Sequence, residues 1–480
     1  MPAIEHIFVL MLENRSFDHM LGFSQITGTD AQTGEPTHID GLAGTESNSY
    51  QGTTYTVSPT APFTMDTDPG HEFTDVVTQL AGPTAAFPPG GPYPPVNCSG
   101  FAASFAAHRG ADPGTALLCF DPASLPVLTS LCHEFTVCDR WFSPMPGPTW
   151  PNRFFAAAAS SHGLDHSPSL LEILKWDTVD GFAFPNGTIF DQLRKKRLPY
   201  RLYGPRFAIT GALKGIGPFE VRPYSHFATD VVSLAYPAAY TFIEPDYGDL
   251  LDHYRGGTSQ HPLDDVRGGE RIIKSTYEAL RSSPAWDTSM LIITWDEHGG
   301  FYDHAHPASA PGPGDTDTPW NQSRFAFGNY GVRVPAVVIS PLVPAHLIDH
   351  RVYDHTSILA TVEHAFGIDP LTARDAAASS LLDLATLPQA RADAPSTLPD
   401  PAGLPGSALA ALPPPDPASS ADQGSIPGFL HVALRQDLAI TPAEHHAQRI
   451  ARVGAIRTRR DAHDYLQEVH QRVTDNTTVR

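Results

Sequence analysis

The chain has 480 residues, 41% of them hydrophobic, enough to bury a large core without disulfide staples. Thirty-one Lys and Arg stand against 52 Asp and Glu, a net charge of −21. That balance argues against a nucleic-acid binder, which needs a cationic footprint, and disfavours adsorption to anionic membranes.

Residues 4–12 (IEHIFVLML) read as the first buried strand. They lack the basic start of a signal peptide, so the expected location is cytoplasmic, or exported in mature form. No apolar run reaches the roughly 18 residues of a membrane span. Residues 24–120 are rich in Gly, Thr, Ser, Pro and Ala and are expected to form an irregular insertion over the active-site edge of the sheet. Inside it, Phe101 to Phe105 and the run 87–95 read as a loop packed on the core more readily than as a lipid-contacting lid. Cys98, Cys119, Cys132 and Cys138 show no C-x-x-C spacing, and both disulfides and buried free thiols remain open.

Further strands are expected at 134–138, 239–243, 289–295 and 334–339, and helices at 152–160, 187–197, 265–282 and 356–366. This alternation predicts an α/β layered fold with a mainly parallel sheet. Residues 1–370 read as the catalytic domain. Residues 371–430, with Pro413, Pro414 and Pro415 in sequence, read as an Ala/Pro-rich wrapping segment. Residues 431–480 read as a helical tail, in which Thr441 is an expected N-cap with Pro442 at the first helical position.

The strand ends carry the chemistry, as expected where ligands bind outside the carboxyl ends of an open sheet. The first strand runs into Glu13-Asn14-Arg15-Ser16-Phe17-Asp18-His19, and the strand at 289–295 into Asp296-Glu297-His298-Gly299-Gly300. Adjacent carboxylates repel unless a cation neutralises them. Glu13, Asn14, Asp296 and Glu297 form an oxygen-rich set that suits one divalent ion, Mg²⁺, Mn²⁺ or Ca²⁺ over Zn²⁺. Thr149 follows a Gly-Pro turn and precedes a helix, so it is an expected N-cap whose hydroxyl faces the positive end of the helix dipole, a natural phosphate site. A metal touching its Oγ would make it a nucleophile.

Four blocks occur in order: the run from Glu13 to His19; Pro146-Gly147-Pro148-Thr149-Trp150-Pro151-Asn152-Arg153; Glu244-Pro245-Asp246-Tyr247-Gly248; and Thr294 to His304. Together they resemble the bacterial phosphoesterase family of non-haemolytic phospholipases C and related acid phosphatases, over roughly residues 4–366. The resemblance implies an alkaline-phosphatase-like, three-layer α/β/α sandwich with long loop insertions. It implies Glu13, Asn14, Thr149, Asp296 and Glu297 as metal ligands, Thr149 as nucleophile through a covalent phosphothreonine, and His71 and His261 as residues on the phosphoryl group. The substrate would be a phosphate monoester or diester, with a phospholipid among the candidates. His226 and His253 match no block.

Plainer readings stand beside these. His298 and His304 are expected to orient ligands by hydrogen bonds, while Asp303-His304-Ala305-His306 could form a small metal site. Glu244 and Asp246 read as structural turn carboxylates. The rival functions are a retaining glycosidase using carboxylates such as Glu244 and Glu297, and a catalytically silent binding protein on the same fold.

Overall fold

The computed structural model describes residues 4–108, 112–249, 251, 252, 254–403 and 416–478. His253 and the run Pro413 to Pro415 lie outside them. In chain order the strands are β1 (His6–Leu12), β2 (Thr27–Asp30), β3 (Pro36–His38), β4 (Ser47–Tyr50), β5 (Thr53–Thr56), β6 (Thr136–Cys138), β7 (Tyr200–Gly204), β8 (Arg222–Pro223), β9 (Tyr240–Ile243), β10 (Ser289–Trp295), β11 (Ala336–Ile339) and β12 (Leu347–Asp349). All but β4 and β5 form one ten-stranded sheet, ordered β3-β2-β12-β6-β11-β10-β1-β9-β7-β8. Helices cover both faces of this sheet, as expected of an α/β layered fold.

The centre of the sheet is where the sequence is most apolar. Every residue of β10, and every residue of β1 after His6, is buried, as a strand covered on both faces requires. β1 runs parallel to β10 on one side and to β9 on the other. Its register sets Leu12 opposite Trp295. Glu13-Asn14 and Asp296-Glu297 therefore leave the sheet side by side.

The strand expected at 334–339 forms as β11 but runs antiparallel to both neighbours, β10 and β6. The reason lies in its connection. Residues 296–335 contain no helix that could carry the chain back across the sheet, so the chain re-enters from the end it left.

The 24–120 insertion holds more regular structure than its composition suggested: β2 and β3 at the sheet edge, the β4/β5 hairpin, and helices Phe73–Ala81 and Phe101–Ala107. Phe101 and Phe105 are buried in a core that also contains Val76, Leu80, Leu117 and Phe301, so this segment packs inward. All four cysteines are free and buried.

Residues 394–398 strap helix Val266–Arg281. Its Tyr277 hydroxyl donates to Pro395 O at 2.5 Å, Arg281 Nε donates to Ala394 O at 3.2 Å, and Glu278 accepts from Leu398 N at 2.9 Å. The helical tail expected from residue 431 begins earlier, as helix Ile426–Ala439, of which Ile426 to Leu438 are all buried. The expected cap at Thr441 does not form. Pro442 instead caps the 3₁₀ turn Ala443–His445, ahead of helix His446–Gly454. The Thr441 hydroxyl is taken by Arg472 Nη2 at 2.9 Å. No helix among the described residues is long and apolar enough to cross a membrane.

Candidate active site

Asn14 is the hinge of the site. Its φ of +60° lies in the left-handed region, which asparagine tolerates better than most residues. This turn brings its backbone N to Asp296 and its side chain to Glu297 and Thr149. The backbone N donates to Asp296 Oδ1 at 3.0 Å; the side-chain Nδ2 contacts Glu297 Oε1 and lies 3.4 Å from Thr149 Oγ1. Its Oδ1 is buried without a hydrogen-bond partner. Gly299 permits the approach. Its φ is +65°, and a Cβ there would lie closer than 3.0 Å to Asn14 O.

Glu13, Asp296 and Glu297 are all buried. Burial, and repulsion from Asp296 and Glu297, push Glu13 up to about 8 against the pull of Arg153. Burial likewise raises Asp296 to about 6, although Arg153 opposes the rise and donates its Nε to Asp296 Oδ2 at 2.9 Å. For Glu297 burial is outweighed by His71, His298 and the Gly299 amide, which hold it below the usual carboxylate range. His298 contributes through an Nδ1 that is 3.3 Å from Glu297 Oε2, and its Nε2 bonds Gln79 Oε1 at 2.7 Å. It therefore orients a carboxylate, as expected.

Thr149 is the first residue of helix Thr149–Ala158 and not its N-cap. Pro148 occupies the cap in an extended conformation, and Asn152 Nδ2 ties the turn to Gly147 O at 2.8 Å and Pro148 O at 3.0 Å. The Thr149 hydroxyl is thus relieved of capping and, at 4% exposure, faces a cavity. That cavity measures about 30 Å³ and is also lined by Glu13, Asn14, His71, His261 and Asp68. Asp296 and Glu297 sit behind Asn14.

The two histidines differ in state. Burial opposes a charge on His71, but Glu297, Asp68, Glu72 and Asp75 outweigh it and raise the ring to about 9; its Nδ1 lies 3.8 Å from Glu297 Oε1. Burial, with His71 and Arg15, lowers His261 to about 4 against the pull of Asp68, whose Oδ2 is 3.7 Å from His261 Nε2. The surroundings thus push the two rings in opposite directions, the arrangement that separates acid from base roles.

Several lining residues carried no sequence signal. Asp68 and Ser167 come from irregular segments, and Gly424, Ser425 and Phe429 from the C-terminal region. Asp68, His71, Ser167 and Gly424 also line an adjoining groove of about 640 Å³. Tyr247 and Phe429 are shared with a second groove, of about 460 Å³.

Asp18, Asp303 and His304 bring ligand-type atoms within 4.8 Å of one another, but the place is already filled by cations. Arg333 Nη2 meets Asp18 Oδ1 at 2.9 Å and its Nε meets Asp303 Oδ1 at 3.0 Å. His304, 2.7 Å from Asp18 Oδ2, is raised to about 10, with burial outweighed by Asp18 and Asp40. Glu244 is structural, as expected. Its carboxylate accepts from Ile209 N, Thr210 N, Thr210 Oγ1 and Tyr247 OH, which leaves little capacity for a sugar. Asp246 accepts from Gly248 N at 3.0 Å.

Comparison with known proteins bears on the family. The model of the Phosphoesterase family matches residues 4–369. The chain is 34% identical to non-specific phospholipase C6 of Arabidopsis thaliana, over 96% of this chain and 86% of that protein. It is 29% identical to phospholipase C B of Mycobacterium tuberculosis, over 76% of this chain and 74% of that protein. A solved structure of a protein in the alkaline phosphatase superfamily from Vibrio parahaemolyticus aligns with a TM-score of 0.32 and 13% identity, over 53% of this chain and 64% of that one. The chain belongs to the phosphoesterase family and is a hydrolase acting on phosphoric ester bonds.

Proposed function

We propose that this chain hydrolyses phosphodiesters in the manner of a phospholipase C, through Thr149 and one divalent cation. The observation that carries the reading is the uncapped Thr149 hydroxyl beside Asn14, whose buried Oδ1 lacks a partner. The Asn14 backbone N meets Asp296, its Nδ2 meets Glu297, and the raised Glu13 lines the same cavity. Such a donor set fits a hard divalent ion. Glu13, Asn14 Oδ1, Asp296, Glu297 and Thr149 Oγ1 are the atoms and groups that would hold it. The ion would supply positive charge that lowers the hydroxyl pKa and draws in a phosphoryl oxygen.

Thr149 Oγ1 attacks phosphorus in line, forming a P–O bond as the bond to the leaving alcohol breaks. His261 takes the Thr149 hydroxyl proton while His71 gives one to the leaving oxygen. In the second half His71, now neutral, takes a proton from the attacking water, the phosphothreonine bond breaks, and His261 returns its proton to Thr149 Oγ1. Among the described residues no lysine or arginine lines the cavity, which suits a singly charged diester better than a dianionic monoester. The relatives named as phospholipases C support the same choice.

The test compares p-nitrophenylphosphorylcholine with p-nitrophenyl phosphate, for the wild type and for Thr149→Ala. The diester should be favoured, and the variant should fold but retain under about 1% of turnover, within the range that loss of a nucleophile produces. Retained turnover would sink Thr149 as nucleophile. Full activity after thorough chelation would sink the cation.

A further inference from the structure

We propose that Arg153 is a positioning residue that holds Thr149 in register with the ends of β1 and β10. Arg153 lies one helical turn after Thr149, on the same face of helix Thr149–Ala158. It is 4% exposed. Its guanidinium grips both strands at once: Nε donates to Asp296 Oδ2 at 2.9 Å, while Nη2 donates to Leu12 O at 2.9 Å and Met11 O at 3.2 Å. The Tyr247 ring, from the segment after β9, lies 5.6 Å from Cζ. One side chain therefore ties the nucleophile helix to the two strand ends that lead into Glu13-Asn14 and Asp296-Glu297.

A buried ion pair is weak evidence for stability, because well-packed apolar groups often do as well. This one also leaves Nη1 buried without a partner, an arrangement poorly suited to a purely stabilising role. What the guanidinium supplies is a rigid fork whose donors diverge towards two strands, which an ammonium point charge does not reproduce. A misplacement of about 1 Å at a reacting atom can cost on the order of 100-fold in rate.

The inference rests on Thr149 as nucleophile, and the two readings fail in different experiments: that one through a fully active Thr149→Ala, this one through the Arg153 variants. Arg153→Lys and Arg153→Ala are compared with wild type on p-nitrophenylphosphorylcholine, with folding followed by circular dichroism. Both should fold, with kcat lower by about 100-fold and KM within about threefold. The rapid burst of p-nitrophenol that reports phosphothreonine formation should slow in parallel. Guanidinium ion at non-denaturing concentration, against a sodium chloride control, should restore part of the burst rate in Arg153→Ala and none in Thr149→Ala. A kcat within about threefold of wild type in both variants would overturn the proposal. So would loss of folding in both, which would make Arg153 a stabilising residue, or a loss confined to KM.

Discussion

Replacing Gly428 by alanine tests whether the C-terminal helix braces the nucleophile helix. Gly428 sits in the first turn of helix Ile426–Ala439, directly against the indole of Trp150, the neighbour of Thr149. A Cβ at 428 would fall closer than 3.0 Å to three indole carbons. The indole cannot simply retreat, since it packs against Phe154 at 6.0 Å, Phe429 at 6.1 Å and Trp176 at 6.4 Å between ring centroids. Two effects oppose each other. Alanine gains up to about 1 kcal/mol over glycine in a helix, while overpacking a filled core costs about 1–3 kcal/mol. The overlap should win, for a net loss of about 1–2 kcal/mol. Strain relieved through Trp150 should shift Thr149 and lower kcat more than KM. Urea unfolding with matched slopes, together with steady-state kinetics, measures both. An alanine variant as stable as wild type would refute the close packing, and an equally active one would refute its link to Thr149.

Gln79→Leu removes the partner of His298 Nε2 and should weaken divalent-ion affinity by about 10- to 100-fold, read by competition with a fluorescent chelator. His166 bonds Asp165 and Glu172 at 2.8 and 2.9 Å. Burial is outweighed by these carboxylates, and the ring rises from its ordinary 6.5 to about 9. Its stabilisation, at most about 3 kcal/mol before solvent screening, should therefore be full below pH 6.5 and lost as pH rises through 9. The stability gap between wild type and His166→Asn should close over that window; a constant gap would contradict the assignment. Among the described residues no lysine or arginine lines the 640 Å³ groove, whereas Asp68, Glu72, Asp75 and Asp422 do. A phosphatidylinositol carrying extra phosphates should therefore be turned over at least about tenfold more slowly than phosphatidylcholine in matched micelles.

The centre of the molecule was legible because its signals are local. β1 and β10 are unbroken apolar runs followed at once by charged residues, and parallel pairing turned that punctuation into a shared site. Other features depend on contacts far apart in sequence. The direction of β11 follows from a long connection without a helix, which no periodicity reports. β2, β3 and β12 have three or four residues each, too short for an alternation to register. Thr149 had the right neighbours for a cap, but Asn152 already held the turn, so its hydroxyl was left for the cavity. The start of helix Ile426–Ala439 fell in the expected wrapping segment, because a helix buried on nearly every side lacks the polar stripe that would mark its bounds.

The two buried acidic clusters explain each other. Asp18, Asp303 and the half-exposed Asp40 stand together, and Arg333 and His304 between them contact all three. Every charge there has a partner. Around Asn14 there are three carboxylates, Glu13, Asp296 and Glu297. Of the cations facing them, Arg153 is bonded to Asp296 alone, and His71 stands 3.8 Å from Glu297. Glu13 has no cation in contact and rises to about 8. A protein that wanted this second cluster merely stable would have completed it with another arginine, as it did the first. The Glu13 carboxyl, left without such a partner, instead lines one cavity with Asn14, whose Oδ1 is unpartnered, and with Thr149. A divalent ion would fill that deficit in charge and in ligands together. The Asp18 cluster then serves as an internal control. Asp303→Asn should lower stability without changing divalent-ion affinity, whereas Glu297→Gln should do the reverse, as read by urea unfolding and chelator competition. Equal losses of affinity in the two variants would place the ion in the wrong cluster.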